Sequence, residues 1–157
     1  DAKDPAAGKL FIRRSDEEGY RIAMEETLTD IQEFDGFDVL GHLDYVVRYG
    51  KHREQDYNYK KYADIIDEIL RTLIENGKGL ELNTAGLKYG LPFAHPHADV
   101  LKRYRELGGE IITIGADGHR PEHIAYDFSK VRDILEDCGF KYYTEFKGRK
   151  PYFCQLL

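Results

Sequence analysis

At 157 residues the chain fits one ordinary domain and is long enough to bury a hydrophobic core. Its 41% hydrophobic and 33% charged residues are typical of a folded soluble protein, and its net charge of -6 argues against a general binder of nucleic acid or anionic membranes. Cys138 and Cys154 are too few for a disulfide scaffold, and no window approaches the roughly 20 apolar residues of a membrane span, so we expect a cytoplasmic protein. A small phosphorylated substrate is compatible with this charge, because it needs only a local basic cluster.

The first part of the chain is predicted to hold one long helix. Residues 1–14 show no clean hydrophobic period, which predicts a loop or tail. Ser15 and Glu18 then form a capping box, in which each side chain can bond the other residue's backbone N–H. Apolar residues recur at helical spacing from Tyr20 to Ile31, so we expect the helix to extend over this range.

Short apolar strands alternate with helices through the rest of the chain. Strands are predicted near 37–44, near 79–84 and from Ile111 onward, and helices over 62–73, 100–107 and 131–138. Segments 48–58 and 92–97 are predicted loops, and 140–156 is predicted to be a hairpin or an irregular strand pair. The alternation predicts an α/β fold whose parallel strands are joined by right-handed crossovers. Three strands are too few for a closed barrel, which needs about seven or eight, so the chain looks like a piece of one.

Polar side chains follow or end all three predicted strands. They are His42 and Asp44, then Glu81 and Asn83, then Asp117 and His119. The carboxyl ends of parallel strands meet at one edge, so we expect these side chains to share a site. His42, Asp117 and His119 are ligands suited to Zn, Mn or Fe. Taken alone, each pair is also typical of a turn with solvated polar residues.

Other residues near the strand ends have more than one interpretation. Arg48 follows His42 by six positions, and its guanidinium can hold a phosphate through a fork of donors, although a surface arginine is the alternative. His95 and His97 precede a helix and are predicted to support the site or lie at the surface. His123 can cap the rim of the site or act as an acid.

Three segments, taken in order, are familiar. They are FDVLGHLDYVVRY from Phe37, ELNTAG from Glu81 and RELGGEIITIGADGHRPEH from Arg105, and CGFKYY from Cys138 agrees with them. Together they strongly resemble the C-terminal half of the histidinol-phosphatases of the polymerase and histidinol phosphatase (PHP) family. The resemblance runs from about Ser15 to the end of the chain, and the joint motif is specific although each part is weak.

This resemblance implies a fold and an activity. The fold is the C-terminal part of a distorted, TIM-like (β/α)7 barrel, so that 1–157 form a single partial PHP domain with the last strand–helix units in 15–157. The activity is hydrolysis of L-histidinol phosphate to L-histidinol and phosphate, in histidine biosynthesis. The complete site of the family holds up to three divalent metal ions.

The resemblance also implies roles for individual residues. His42 matches a metal ligand, and Asp117 with His119 matches the final pair of metal ligands, which are also catalytic. Arg48 matches the arginine that contacts the substrate phosphate. Glu81 and Asn83 match no ligand, and the candidates for the acid that protonates the leaving group are Asp44 and His123.

The family opens with a His-x-His motif on its first strand, followed by His and Glu ligands on the next strands, and this first-strand motif and those ligands are absent from these residues. The sequence therefore predicts a piece of a longer enzyme. One alternative is a non-catalytic partial domain that needs the missing N-terminal half or a second copy, which would pair with its open sheet edges. A phosphodiesterase or nuclease of the same family is a third hypothesis, but the acidic balance disfavours nucleic acid.

Overall fold

The computed structural model describes residues 5–156. The α-helices are α1 (Pro5–Leu10), α2 (Asp16–Glu33), α3 (Ala63–Glu75), α4 (Ala85–Lys88), α5 (Ala98–Glu106) and α6 (Val131–Asp137). The strands are β1 (Val39–Leu40), β2 (Gly79–Asn83), β3 (Ile112–Gly115), β4 (Tyr142–Lys147) and β5 (Lys150–Gln155). Short 3-10 helices lie at Tyr45–Tyr49, Arg53–Asp56, Tyr59–Tyr62, Pro121–His123 and Phe128–Lys130. None of the helices in this range has the length and apolar composition to cross a membrane.

Strands β1, β2 and β3 form a parallel sheet in that order. Leu40 is level with Leu80 of the middle strand, which is level with Ile112 of β3. The predicted α/β alternation with parallel strands is confirmed, and the carboxyl ends of the three strands lie at one edge. Among residues 5–156, β1 pairs with β2 alone, so its outer edge has no strand beside it.

The predicted local signals of the long helices are present. The capping box is formed, with Ser15 Oγ accepting from the N–H of Glu18 and Glu18 Oε2 accepting from the N–H of Ser15. Helix α3 buries one apolar face against the rest of the core, and its buried residues are Ile65, Ile66, Ile69, Leu70 and Leu73. This spacing of three and four residues is the helical period read from the sequence.

The prediction that 1–14 is a loop or tail was wrong for its described part. Helix α1 occupies Pro5–Leu10, and residues 1–4 lie outside the described chain. Leu10 and the adjacent Phe11 pack against the hydrophobic core. A six-residue helix is too short to show a hydrophobic period, so contacts with distant residues determine it.

The predicted loop 48–58 is also partly helical. It contains the end of the 3-10 helix Tyr45–Tyr49 and all of Arg53–Asp56. Between them, the backbone N–H groups of Lys51 and His52 donate to Asp16 at 2.8 and 2.5 Å. Asp16 lies more than thirty residues away in the sequence, so no local pattern predicts this turn.

Strands β4 and β5 form the predicted antiparallel hairpin at the opposite end of the sheet. The N–H of Ile112, the first residue of β3, donates to Thr144 Oγ1 at 3.2 Å. Arg149 in the hairpin turn donates to Asp38 at 2.9 Å, just before β1, and holds the pKa of that carboxyl below its usual range. The hairpin thus connects the starts of the outer strands, β1 and β3, and these contacts lie at the end of the sheet opposite the predicted site.

Candidate active site

Glu81 of the middle strand connects the carboxyl ends of the sheet. Its Oε2 atom accepts from the backbone N–H of His42 at 3.1 Å and from Asn83 Nδ2 at 3.0 Å. A Cβ atom on Gly115 would lie 1.9 Å from Glu81 Oε1, and one on Gly41 would lie 3.1 Å from Oε2. Glycines on both neighbouring strands therefore leave the space that this carboxylate occupies. This central role of Glu81 was not predicted from the sequence.

His42 follows β1 in a left-handed backbone conformation with a φ of 33°. Such a conformation is strained for a residue other than glycine, and strain of this kind clusters at functional sites. The Nδ1 atom is buried and has no hydrogen-bond partner among the described residues. A buried imidazole nitrogen in this state is available as a ligand.

Asp117 follows β3, again with left-handed backbone (φ 47°), and two other predicted site residues meet it. Its Oδ1 atom lies 3.1 Å from His119 Nε2, and its Oδ2 atom lies 3.9 Å from Arg48 Nη1. The structure therefore brings Asp117, His119 and Arg48 together. His42 lies across the middle strand, and the spacing of strands places the ends of β1 and β3 about 10 Å apart.

Lys88 at the end of α4 is a site residue that the sequence analysis missed. Its Nζ atom donates to the backbone oxygens of Ala116 at 3.0 Å and of Asp117 at 2.8 Å. Burial lowers the pKa of Lys88, although the nearby Asp117 acts in the opposite direction. The signal that could have found it is its place just past the end of β2, where the sheet presents its site.

The guanidinium of Arg48 is held among tyrosine rings. It lies 5.5 Å from the centroids of Tyr45 and Tyr49 and 4.3 Å from that of Tyr89. The side chain is only 12% exposed, and its Nε atom has no hydrogen-bond partner within the described chain. The fork of donors is thus fixed beside Asp117 before any anion arrives.

Asp44 is unsuited to the acid role considered for it. It is fully buried, and its oxygens accept from Tyr57, from His95 and from the backbone N–H of His97. Because the side chain is buried and both of its oxygens accept from these donors, it is not accessible to a leaving group. His95 is fully buried and His97 partly exposed, in keeping with the supporting and surface roles predicted for this pair.

His123 lies against the turn between the last two candidate ligands. A Cβ atom on Gly118 would lie 3.4 Å from the backbone oxygen of His123. The Nδ1 atom of His123 is buried, and no residue in 5–156 bonds it. This leaves His123 as the better of the two acid candidates.

The donor set fits a divalent metal. His42 Nδ1 is unpaired in the described structure, Asp117 has two oxygens at the rim, and the 71% exposed side chain of His119 is able to reorient. Imidazole and carboxylate without thiolate suit Zn, Mn or Fe. The unpaired nitrogen is the observation that favours a ligand role over a purely structural one.

Away from the predicted ligand set, Asp16, His52 and Asp56 have ligand atoms within 4.8 Å of one another. Asp16 already accepts from two backbone N–H groups, and His52 Nδ1 lies 3.0 Å from Asp56 Oδ2. These hydrogen bonds explain the group as an anchor of the turn at 51–52.

The PHP domain family matches residues 7–85, about half of the chain. "Histidinol-phosphatase" of Lactococcus lactis subsp. lactis is 31% identical over 143 residues, which cover 90% of this chain and 52% of the relative. "Probable histidinol-phosphatase" of Thermotoga maritima is 39% identical over 139 residues, which cover 85% of this chain and 56% of the relative. The chain therefore spans about half the length of these curated relatives.

A crystal structure of the histidinol phosphate phosphatase from Lactococcus lactis, complexed with zinc, L-histidinol and phosphate, shares this fold. The two structures align with a TM-score of 0.76 at 31% identity, over 92% of this chain and 54% of that one. The match of family, relatives and fold confirms the resemblance read from the sequence. The chain belongs to the PHP domain family.

Proposed function

We propose that the chain carries the C-terminal part of a histidinol-phosphatase active site, which hydrolyses L-histidinol phosphate to L-histidinol and phosphate in histidine biosynthesis. The observation that carries the proposal is the convergence of His119, Arg48 and Lys88 on Asp117. A carboxylate ligand beside two cations suits a phosphate held at a metal. The names of the Lactococcus and Thermotoga relatives support the same reaction.

His42, Asp117 and His119 would hold divalent metal, with up to three ions in the complete site. Bound metal of this kind supplies a water of lowered pKa and polarises phosphoryl oxygens. Asp117 and His119 are catalytic in this proposal, because they contact the reacting centre through that metal. The strained backbone at His42 and Asp117 fixes both side chains at the rim of the sheet.

Arg48 and Lys88 would hold the phosphate of the substrate. The planar guanidinium of Arg48 can bond two phosphate oxygens at once, whereas Lys88 offers a compact charge. Both cations lie close to Asp117, so a phosphate bound there would meet positive charge. His123, with its unpaired buried nitrogen in the described structure, is the proposed acid for that alcohol.

Replacing Arg48 with glutamine is expected to raise the KM for L-histidinol phosphate by about 10–100-fold, because one or two charge-assisted hydrogen bonds are lost. Steady-state phosphate release by the intact natural polypeptide, expressed from its complete reading frame, measures this. Arg149→Gln is the matched control, since Arg149 lies in the hairpin turn at the other end of the sheet. Equal KM values for wild type and Arg48→Gln would remove Arg48 from the phosphate site.

A second candidate function is that of a partial domain that becomes active only with the other half of a barrel. An open groove of about 800 Å³ lies beside the unpaired edge of β1, and it is lined by Leu10, Ala23, Thr27, Leu40, His42 and Leu43 among others. We propose that this groove and edge receive a further strand of a distorted, TIM-like (β/α)7 barrel. The half of the relatives' length that this chain does not span would supply that strand.

Cysteine chemistry supports a cytoplasmic location in this proposal. Cys138 and Cys154 are both free thiols. Burial raises the pKa of Cys138 to about 11, so this thiol stays protonated and unreactive at neutral pH. Such a pair suits a reducing compartment, where histidine biosynthesis would take place.

Phosphate release from L-histidinol phosphate, with Mn²⁺ or Zn²⁺, tests the function in two samples: the 157-residue chain and the intact natural polypeptide. Activity of the longer protein with none in the chain alone supports both the reaction and the need for a second half. Preferred cleavage of single-stranded DNA by the longer protein would instead point to a nuclease. Light scattering of the chain shows whether a second copy covers the edge of β1.

A further inference from the structure

Asp44 is a buried charge that the proposed chemistry does not use. It is 0% exposed and accepts from Tyr57 Oη at 2.9 Å, from His95 Nδ1 at 2.6 Å and from the N–H of His97 at 2.8 Å. Burial, reinforced by Asp44, holds the pKa of Tyr57 well above its usual range, so the phenol remains a donor. Three donors on one buried carboxylate make a rigid unit.

This unit lies between the candidate metal ligand and the candidate phosphate ligand. The N–H of Tyr45 donates to the oxygen of His42 at 2.9 Å, and the N–H of Val47 donates to that of Asp44 at 3.1 Å. The segment from His42 to Arg48 is therefore anchored at its start by Glu81 and in its middle by Asp44. The strained backbone of His42 can persist only where its surroundings fix it in this way.

His95 is itself fixed by the end of β2. Its backbone exchanges two hydrogen bonds with Asn83, of 2.7 and 2.8 Å, and its imidazole is 0% exposed. Nδ1 faces Asp44, whereas Nε2 bonds nothing in the described part of the chain. A carboxylate can only accept a hydrogen bond, so His95 Nδ1 is the protonated ring nitrogen and donates to Asp44.

We propose that Asp44 and His95 are positioning residues, which hold the segment from His42 to Arg48 in place for metal and phosphate. The consequence for ligand binding rests on the proposed function, while the hold on the backbone does not. Partners that orient metal ligands from behind typically change metal affinity by about 10–100-fold when removed. The positioning role of His95 depends on the hydrogen bond from its Nδ1 atom to Asp44.

Four variants of the 157-residue chain test this. In His95→Gln the side-chain amide reaches the position of Nε2, so the donor at the position of Nδ1 is lost. In His95→Asn the shorter side chain places its amide N–H at the position of Nδ1, so a donor remains there. Tyr57→Phe removes a single donor and serves if His95→Gln fails to fold. Asp67→Asn is the matched control, because Asp67 accepts from Tyr59 Oη at 2.6 Å and from Arg103 at 2.7 Å in a similar cluster on α3.

Hydrogen exchange at the amides of His42, Tyr45 and Val47, measured without metal, is the first readout, and zinc affinity the second. We expect His95→Gln to speed exchange at least about 10-fold and to weaken zinc about 10–100-fold, with Tyr57→Phe in between. His95→Asn and Asp67→Asn should stay near wild type in both.

The outcomes separate the two proposals. Unchanged exchange in His95→Gln and Tyr57→Phe overturns the positioning role, whatever the zinc affinity. A wild-type chain that binds no zinc agrees with a site that needs the other half of the barrel, and exchange alone then decides the positioning role. An equal rise in exchange rate in His95→Asn and His95→Gln would also overturn the proposal, since it would assign the role to Nε2 or to packing.

Discussion

Asp117→Asn is expected to lower phosphate release from L-histidinol phosphate by more than about 100-fold in the intact natural polypeptide, because it removes a charged metal ligand and keeps its shape. The carboxylate of Asp117 lies between His119 Nε2 and Arg48 Nη1, at 3.1 and 3.9 Å. The amide of asparagine carries no charge to match the metal or Arg48. Asparagine also tolerates left-handed backbone, so the φ of 47° adds no folding defect.

Asp127→Asn is the control for that substitution. Asp127 has a similar left-handed backbone, with a φ of 53°, but its carboxylate pairs with Lys130 at 2.9 Å instead of with a candidate site residue. Its turnover should match wild type. Turnover of Asp117→Asn within about threefold of wild type would exclude Asp117 from the metal site.

Gly86→Ala is expected to lower the free energy of unfolding by about 2–3 kcal/mol or more, the largest loss of stability among the substitutions proposed. The added methyl group would overlap with backbone atoms, which cannot shift without displacing the rest of their loop. A Cβ atom at Gly86 would lie 2.3 Å from the backbone oxygen of Phe93 and 3.3 Å from the Cα atom of Ala94. The same helix α4 ends at Lys88, so the site would be displaced as well. For a chain of this size the loss corresponds to a fall in Tm of about 5–10 °C.

Thermal unfolding followed by circular dichroism measures this loss. Gly8→Ala is the control, since a Cβ atom at Gly8 has no neighbour within 4 Å and lies in helix α1. It should leave Tm unchanged or raise it slightly, as alanine favours helix. A Tm of Gly86→Ala equal to that of wild type would contradict the close contact between α4 and the backbone of Phe93.

Local signals predicted most of the fold. The capping box at Ser15 and the apolar stripe of α3 involve residues only a few positions apart, so a single sequence is enough to predict them. The 3-10 turns before α3 are different. They depend on Asp16 and Tyr20, which bond backbone groups more than thirty residues away.

The candidate site, like the fold, was predicted only in part from the sequence. Strand ends pointed to His42, Asp117 and His119, because the carboxyl ends of parallel strands share one edge. The resemblance to the PHP family pointed to Arg48. Lys88 lies just past β2 and Glu81 within it, which marks both as candidates, but no spacing rule specifies that Lys88 bonds the turn at Asp117 or that Glu81 contacts both neighbouring strands. The bond between Asp44 and His95 joins residues 51 positions apart, so only the folded chain shows it.

The most direct test of the proposed metal-dependent phosphatase is turnover of L-histidinol phosphate by the intact natural polypeptide before and after metal removal. We expect chelation to abolish phosphate release and Mn²⁺ or Zn²⁺ to restore it, with no recovery in His42→Ala. Full turnover in the chelated protein, or none after reloading with either metal, would contradict the assignment.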